Sequence, residues 1–307
     1  MDATTATLAT WWNGLAFGGD HFLLAGLAVA CLALAAEYVD STLGMGYGTT
    51  LTPLLMLLGF APMQVVPAVL LSELLTGLTA AAAHHRAGNV DFRIRTRDAD
   101  GRPIAKMLLD LGYLATAKRA LPRPLRIAML LGACSMAGAI AATLLAVKLS
   151  KVYLNLYIGV MVTVIGAFIL VRRRSEGRFS WTKITGLGLV ASFNKGLSGG
   201  GYGPLVCGGQ VLAGVDGRSA VAITSLAEGL TCAVGFTALL LAGQVRDWRL
   251  MPYLCAGALL SVPLSAHTVK RINLRHLKVI IAAATLILGL LTLWKIRSEI
   301  ATMLGVA

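Results

Sequence analysis

The sequence predicts an all-α membrane protein that crosses the bilayer several times and consists of two homologous repeats. Its 307 residues are 57% hydrophobic and only 13% charged, a composition outside the usual range of soluble domains. Many apolar stretches approach or exceed the roughly 20 residues that cross the hydrocarbon core of a bilayer. In addition, residues 44–90 align without a gap on residues 199–245, and 15 of the 47 aligned positions are identical.

Membrane helices are expected at the longest apolar stretches, which are 22–36, 65–83, 127–147, 152–171, 223–242 and 279–293. The five cysteines are scattered through such stretches without CxxC spacing, so we interpret them as small core residues and not as a redox or zinc centre. They are Cys31, Cys134, Cys207, Cys232 and Cys255.

The formal charge of +13 is concentrated in two segments, with ten Lys/Arg between Arg86 and Arg126 and five between Arg172 and Lys183. Clustered basic loops between membrane helices are the positive-inside signal, which places both segments in the cytoplasm and argues against nucleic-acid binding. The N-terminus, without Lys or Arg, should then lie outside. If each repeat crosses the membrane an odd number of times, the two repeats are inverted. Inverted repeats fit this distribution of Lys and Arg slightly better than parallel repeats do.

The repeats are predicted to occupy residues 1–171 and 184–307, with a cytoplasmic loop at 84–126 and a basic cytoplasmic linker at 172–183. Each repeat has a short apolar segment after its glycine run, at 49–59 and 204–214. As a helix, eleven residues span about 17 Å, which is too short to cross the bilayer. The glycine run is therefore a break at membrane depth, either a re-entrant hairpin or one interrupted span.

The glycine runs are the first candidate for a binding site. Gly44-Met45-Gly46-Tyr47-Gly48 aligns with Gly199-Gly200-Gly201-Tyr202-Gly203. Close helix packing is one explanation. The other is that each run leads into the N-terminus of a half-helix, where free N–H groups and the positive dipole end suit an anion. On the second interpretation the substrate-binding candidates are Gly46, Tyr47, Gly48, Thr49, Thr50, Ser198, Gly199, Gly200, Gly201, Tyr202 and Gly203.

Two charged residues occupy equivalent positions just before the runs. Lys195, next to Asn194, aligns with Asp40. A charged side chain inside an apolar segment is costly enough to indicate a function or a partner. Lys195 is expected either to pair with Asp40 or, with Asn194, to attract an anionic substrate.

A Glu-x-x-Thr pair follows each short segment, Glu73 with Thr76 and Glu228 with Thr231. Residues three apart share one helix face. The carboxylates are expected either to cap the neighbouring half-helix or to carry a coupled proton, and the proton-coupling candidates are Glu228, Glu73 and Asp40. Thr224 and Ser225, one turn before Glu228, are added to the substrate-binding candidates.

The remaining polar residues do not indicate an enzyme. His84 and His85 precede Arg86 at a helix end and are expected to be interface anchors, while Glu37 should belong to the patch around Asp40. No nucleophile–base, HExxH or P-loop pattern is present in the sequence. No catalytic residue, metal site or cofactor is therefore predicted.

The motifs together resemble the sulfite exporter (TauE/SafE-type) permeases over nearly the whole chain. The first repeat carries the resemblance at residues 44–50, Pro53 and 84–93, and the second at 199–203, 222–226 and 243–248. The resemblance implies outward secondary transport of sulfur-containing anions such as sulfite, sulfoacetate or other organosulfonates. Two features depart from the family pattern: Met45 and Tyr47 interrupt the first glycine run, and Asp40 and Lys195 are not general family features.

The sequence therefore predicts a multi-pass secondary transporter for a small sulfur-containing anion in the bacterial inner membrane, coupled to protons. A passive anion channel of the same architecture is the main alternative, and a membrane enzyme or assembly factor is a weaker one. The expected partners are the anion, protons and the lipid bilayer, and a homodimer is left open.

Overall fold

A computed structural model describes residues 22–58, 60, 62–97, 101, 103–145, 151–171, 179–198, 202–245, 247–295 and 297. Within these ranges the chain forms helices and no strand. The helices are α1 (Phe22–Leu43), α2 (Tyr47–Leu57), α3 (Pro62–Ala87), α4 (Ile104–Ala120), α5 (Arg123–Leu145), α6 (Lys151–Val171), α7 (Trp181–Ser198), α8 (Tyr202–Leu212), α9 (Gly217–Leu241), α10 (Met251–Arg271) and α11 (Leu274–Lys295).

The apolar stretches predicted to cross the membrane all fall on helices. Within the described residues, three helical segments are long and apolar enough to span a bilayer: Gly26–Leu43 in α1, Gln64–Ala87 in α3 and Gly217–Leu241 in α9. The apolar part of α11, Val279–Trp294, is shorter. The prediction of a helical membrane protein is confirmed.

The two halves of the sequence are interleaved in space. Helix α10, from the second half, packs on α1 and α3 of the first half, and α5 of the first half packs on α7 and α9 of the second. Helices α3 and α9 pack on each other, as do α6 and α11. Each short helix therefore sits inside a bundle to which both halves contribute.

The short helices α2 and α8 have eleven residues each, as the sequence predicted. The apolar core around α2 includes Leu51 and Leu55 with residues of α1, α3 and α10. The core around α8 includes Tyr202 and Leu205 with residues of α5, α7 and α9. Helix α8 is thus buried in protein, whereas α2 is buried on one face and leaves Thr50 and Leu54 exposed. Broken helices are tolerated in a membrane where protein or a water-filled cavity surrounds them.

A close crossing of glycines joins α3 to α9. A Cβ atom on Gly77 would lie 2.6 Å from the Cα of Gly229 and 2.6 Å from the carbonyl oxygen of Ser225. Small residues at a helix crossing allow the backbones to approach closely in a membrane. The Glu-x-x-Thr faces of the two helices are therefore held near each other at the centre of the bundle.

The segment at 84–126, which the sequence analysis treated as a loop, contains the helix α4. This helix is kinked at Gly112, which has φ 74° and ψ 171°. Its last residue, Ala120, accepts a hydrogen bond from the backbone N–H of Arg95 at 2.9 Å. The segment before α4 is thus tied to the end of α4.

Candidate functional site

Helix α1 contacts α3 through side chains before the first glycine run, and both helices pack on α10. Glu37 lies beside Thr76 of α3. Ser41, one turn later in α1, offers its carbonyl oxygen to His84 Nε2 at 3.0 Å, two turns further along α3. The contacts of α1 therefore move towards the C-terminal end of α3.

The chain then turns back. The Tyr47 hydroxyl at the start of α2 lies 2.8 Å from Ser72 Oγ, and Gly48 lies against the carboxylate of Glu73. Both contacts lie near the middle of α3, closer to the N-terminal end of α3 than the contact of Ser41 with His84. The first break is therefore a hairpin that reverses the chain, and Gly46, with φ 125°, adopts a conformation that favours glycine.

Two carboxylates of the protein occupy the N-terminus of α2. Asp40 Oδ1 accepts a hydrogen bond from the Tyr47 N–H at 3.3 Å. Glu73 Oε1 would lie only 2.7 Å from a Cβ atom on Gly48. Carboxylates stabilise the free N–H groups and the positive dipole end of a helix start. Asp40 and Glu73 thus stand where an anionic ligand of the first break would bind, which matches the capping interpretation of Glu73.

The other side chains of the first run have local partners. Tyr47 is buried. Thr50 is exposed, and its hydroxyl donates to the carbonyl of Gly46. The side chain of Thr49 lies outside the described residues.

The second break is described only at its two ends. Asn194, Lys195 and Ser198 lie in the last two turns of α7, but their side chains are outside the described residues, as are residues 199–201. Tyr202 and Gly203 begin α8 and are buried. The predicted pair between Lys195 and Asp40 therefore stays a prediction.

The two breaks meet. A Cβ atom on Gly203 would lie 2.8 Å from the Cα of Met45 and 2.9 Å from the carbonyl oxygen of Gly44. Cys207 Sγ donates to the Leu43 carbonyl at 3.1 Å. The start of α8 thus packs directly on the backbone of the first glycine run.

Thr224 and Ser225 are both buried on α9. Ser225 donates to the Val221 carbonyl at 3.2 Å. The Thr224 hydroxyl accepts a hydrogen bond of 2.8 Å from Gln210 Nε2, and the Gln210 amide oxygen is buried without a hydrogen-bond partner. Gln210 was not a candidate from the sequence. A glutamine within the otherwise apolar segment 204–214 is the signal that could have identified it.

Four acidic residues gather around the first break. Glu37, Asp40 and Glu73 are buried, and Glu228 is partly buried. Glu37 and Asp40 each lie close enough to both Glu73 and Glu228 for direct electrostatic repulsion. Cys232 Sγ donates to Glu73 Oε2 at 3.0 Å. This places all three predicted proton-coupling candidates in one cluster and adds Glu37 to it.

His84 is a structural residue and not the interface anchor that its sequence position suggested. Its side chain is fully buried. Nδ1 lies 2.9 Å from the Asn89 side-chain nitrogen, which must donate, so Nδ1 accepts and Nε2 donates to Ser41. Asn89 also donates to the Ala266 carbonyl at 2.8 Å. His84 and Asn89 therefore connect α3 to both α1 and α10.

Among the described residues, no group of three His, Cys, Asp or Glu side chains could hold a metal ion.

Long apolar helices around two short helices that start at glycine breaks are typical of membrane transporters. The family model for the sulfite exporter TauE/SafE matches residues 29–97 and 104–292, so the chain belongs to this family. The resemblance inferred from the two glycine runs is confirmed.

A curated relative agrees with this assignment. The chain is 23% identical over 282 residues to the "Probable membrane transporter protein YtnM" of Bacillus subtilis (strain 168), and the alignment covers 87% of this chain and 82% of the relative. No solved structure matches the chain. The protein is therefore a membrane transporter of the sulfite exporter TauE/SafE family.

Proposed function

We propose that the protein is a proton-coupled secondary transporter that exports small sulfur-containing anions across the bacterial inner membrane. Sulfite, sulfoacetate and other organosulfonates are the proposed cargo. The observation that carries the proposal is the direct contact of two glycine breaks, Gly203 on Met45, in a chain that belongs to a family described as sulfite exporters.

The anion is proposed to bind at the second break. At the first break the start of α2 already has Asp40 and Glu73 against it. In the second repeat the position of Asp40 is taken by Lys195, which reverses the charge beside the helix start. Free N–H groups of Gly200 and Gly201 together with this ammonium would suit a sulfonate or sulfite group.

An inverted repeat is proposed for the architecture, and the packing supports a duplication. Exchanging α1, α2, α3, α5 and α6 with α7, α8, α9, α10 and α11 maps the contact of α10 with α1 onto that of α5 with α7. It also maps α10 on α3 onto α5 on α9. The charge count favours cytoplasmic positions for the loop at 84–126 and the linker at 172–183.

Binding is tested with purified protein and a panel of sulfite, thiosulfate, sulfoacetate, taurine and sulfate in a thermal-shift assay. Gly200→Ala and Gly201→Ala should abolish the ligand-induced shift because a methyl group blocks close approach to the backbone. Gly186→Ala is the matched control, since no atom lies within 4 Å of its added Cβ. Normal binding in a well-folded Gly201→Ala protein contradicts the proposed site.

The electrostatic part of the proposal is tested at Lys195. Lys195→Met should weaken binding more at low salt than at high salt, because exposed charge interactions are screened over about 10 Å at 0.1 M salt. An equal loss at both salt concentrations would assign Lys195 a structural role.

A passive anion channel is the alternative, and coupling distinguishes the two. Liposomes that contain the protein are loaded with the anion, and a pH gradient is imposed across the membrane. Accumulation of the anion against its own concentration gradient indicates a coupled transporter. Flux that only follows the anion gradient and the membrane potential indicates a channel.

A further inference from the structure

We propose that Glu37 carries the coupled proton, and that Asp40 and Glu73 serve mainly to hold the first break. The inference rests on the proposed function, because it assigns the coupling step of that transporter to one side chain. Glu37 was grouped with the polar patch from its position in the sequence but was not one of the coupling candidates.

The two oxygens of Glu37 have different surroundings. The side chain is 2% exposed. Oε1 accepts a hydrogen bond from the Ser41 hydroxyl at 2.5 Å, whereas Oε2 is buried and has no hydrogen-bond partner among the described residues. The Thr76 hydroxyl lies beside Glu37, but it donates to the Ser72 carbonyl at 3.0 Å. One carboxylate oxygen is thus left unpaired in the interior of a helix bundle.

A buried carboxylate with an unpaired oxygen is stable only if it is neutralised or acquires a partner. The charged and titratable groups that face Glu37 are Glu73 from α3, Glu228 from α9, Asp40 from α1 and Tyr47 from α2. Among the described residues no basic side chain lies against Glu37. A proton on Oε2 removes the charge and makes this oxygen a donor instead of an acceptor.

The other buried carboxylates already have structural partners. Asp40 accepts the Tyr47 N–H, and Glu73 lies over Gly48 and accepts from Cys232. Removing the charge of either one would weaken the N-terminal cap of α2. Glu37 makes no such contact with the described part of α2, so it can gain and lose a proton without uncapping the half-helix.

The position of Glu37 also connects protonation to the two breaks. Ser41, which bonds to Glu37, precedes the first glycine run by one turn, and this run packs on the start of α8. A change of charge on Glu37 alters its repulsion with Glu73, which lies directly on the first residues of α2. Protonation can therefore change the packing at the contact between the breaks, where the anion is proposed to bind.

The test separates anion exchange from coupled transport in liposomes that contain purified protein. The substrate is sulfoacetate, because its sulfonate stays ionised while sulfite itself binds protons near neutral pH. Exchange of labelled sulfoacetate between equal internal and external pools requires no net proton movement. Uphill accumulation driven by a pH gradient does require it.

Glu37→Gln should keep the exchange rate within about threefold of the wild type and lower pH-driven accumulation by about tenfold or more. Asp110→Asn, at an exposed carboxylate of α4 outside the acidic cluster, should retain pH-driven accumulation and serves as the carboxylate control. If Glu37→Gln retains coupled accumulation while Glu228→Gln loses it, the proton is carried by Glu228 and the inference is overturned. A wild-type protein driven by a sodium gradient and indifferent to pH would overturn it as well.

If Glu37→Gln does not fold, Glu37→Asp provides a second test. It retains the carboxyl group but moves it by one methylene, away from the Ser41 hydroxyl. A shifted pH profile of sulfoacetate accumulation supports the assignment, and an unchanged profile overturns it. If wild-type sulfoacetate flux does not respond to a pH gradient at all, the coupled transporter fails as a whole, and this outcome is distinct from a failure of Glu37 alone.

Discussion

The two glycine breaks have related sequences but different surroundings. At the first break the carboxylates of Asp40 and Glu73 lie on the start of α2. At the second break the start of α8 packs on the backbone of Gly44 and Met45, and the residue that aligns with Asp40 is Lys195. The glycine pattern therefore accompanies a helix break in both repeats, while the charged residue before it differs, and we expect this difference to decide what each broken end binds.

The largest expected effect concerns the charge that distinguishes the breaks. If Lys195 pairs with Asp40, Lys195→Ala leaves a buried carboxylate without its partner and should cost about 3–5 kcal/mol. The double variant Asp40→Asn with Lys195→Met should recover much of this loss. Thermal unfolding of both single variants and the double variant in detergent measures the coupling. Additive losses would show that the two residues act independently.

The second prediction compares the glycines that begin α2 and α8. In Gly203→Ala the new methyl group meets backbone atoms, the Cα of Met45 at 2.8 Å, which cannot move without shifting the first break. Such overpacking costs about 1–3 kcal/mol. In Gly48→Ala the nearest atom is Glu73 Oε1 at 2.7 Å, the end of a flexible side chain that can rotate away.

Thermal unfolding should therefore show a larger decrease in melting temperature for Gly203→Ala than for Gly48→Ala. Gly235→Ala is a control in a membrane helix, because its nearest contact is a leucine methyl at 3.5 Å. The reverse order would mean that the contact between the breaks is looser than the contact of Glu73 with α2.

The sequence predicted the helices and the breaks better than it predicted the polar contacts. Apolar stretches and an eleven-residue segment after a glycine run are local signals. They predicted α2 and α8 to within two residues, and they located α1, α3 and α9 with less exact ends. The burial of His84 and the surroundings of Glu37 depend on how α1, α3 and α10 come together. Contacts of this kind depend on the packing of separate helices, which a single sequence does not encode as a local pattern.

The interleaving of the halves was also beyond the sequence pattern. The duplication at 44–90 and 199–245 suggested two repeats in succession, yet α10 packs on α1 and α5 packs on α7. Nothing in the composition of α5 or α10 identifies the helix on which each will pack. The choice follows from shape, as at Gly257, where a Cβ atom would lie 2.0 Å from the carbonyl oxygen of Ala30.

The smallest expected effect distinguishes the tyrosines that begin the two short helices. The Tyr47 hydroxyl lies 2.8 Å from Ser72 Oγ, which also donates to the Leu254 carbonyl over a long distance of 3.4 Å. Tyr47→Phe should therefore cost about 1 kcal/mol, the usual value of one buried hydrogen bond.

The corresponding Tyr202 hydroxyl lies 3.1 Å from Ser135 Oγ. Without it, Ser135 retains the Leu131 carbonyl at 3.0 Å and the Ser192 hydroxyl at 3.3 Å. Tyr202→Phe should thus lower the melting temperature less than Tyr47→Phe, and Ser72→Ala should reproduce the loss seen for Tyr47→Phe. A double variant of Tyr47→Phe and Ser72→Ala that loses no more than either single variant would identify the shared hydrogen bond as the cause, because the second substitution then has nothing left to break. Full additivity would instead assign the loss to packing around Tyr47 and remove this difference between the two breaks.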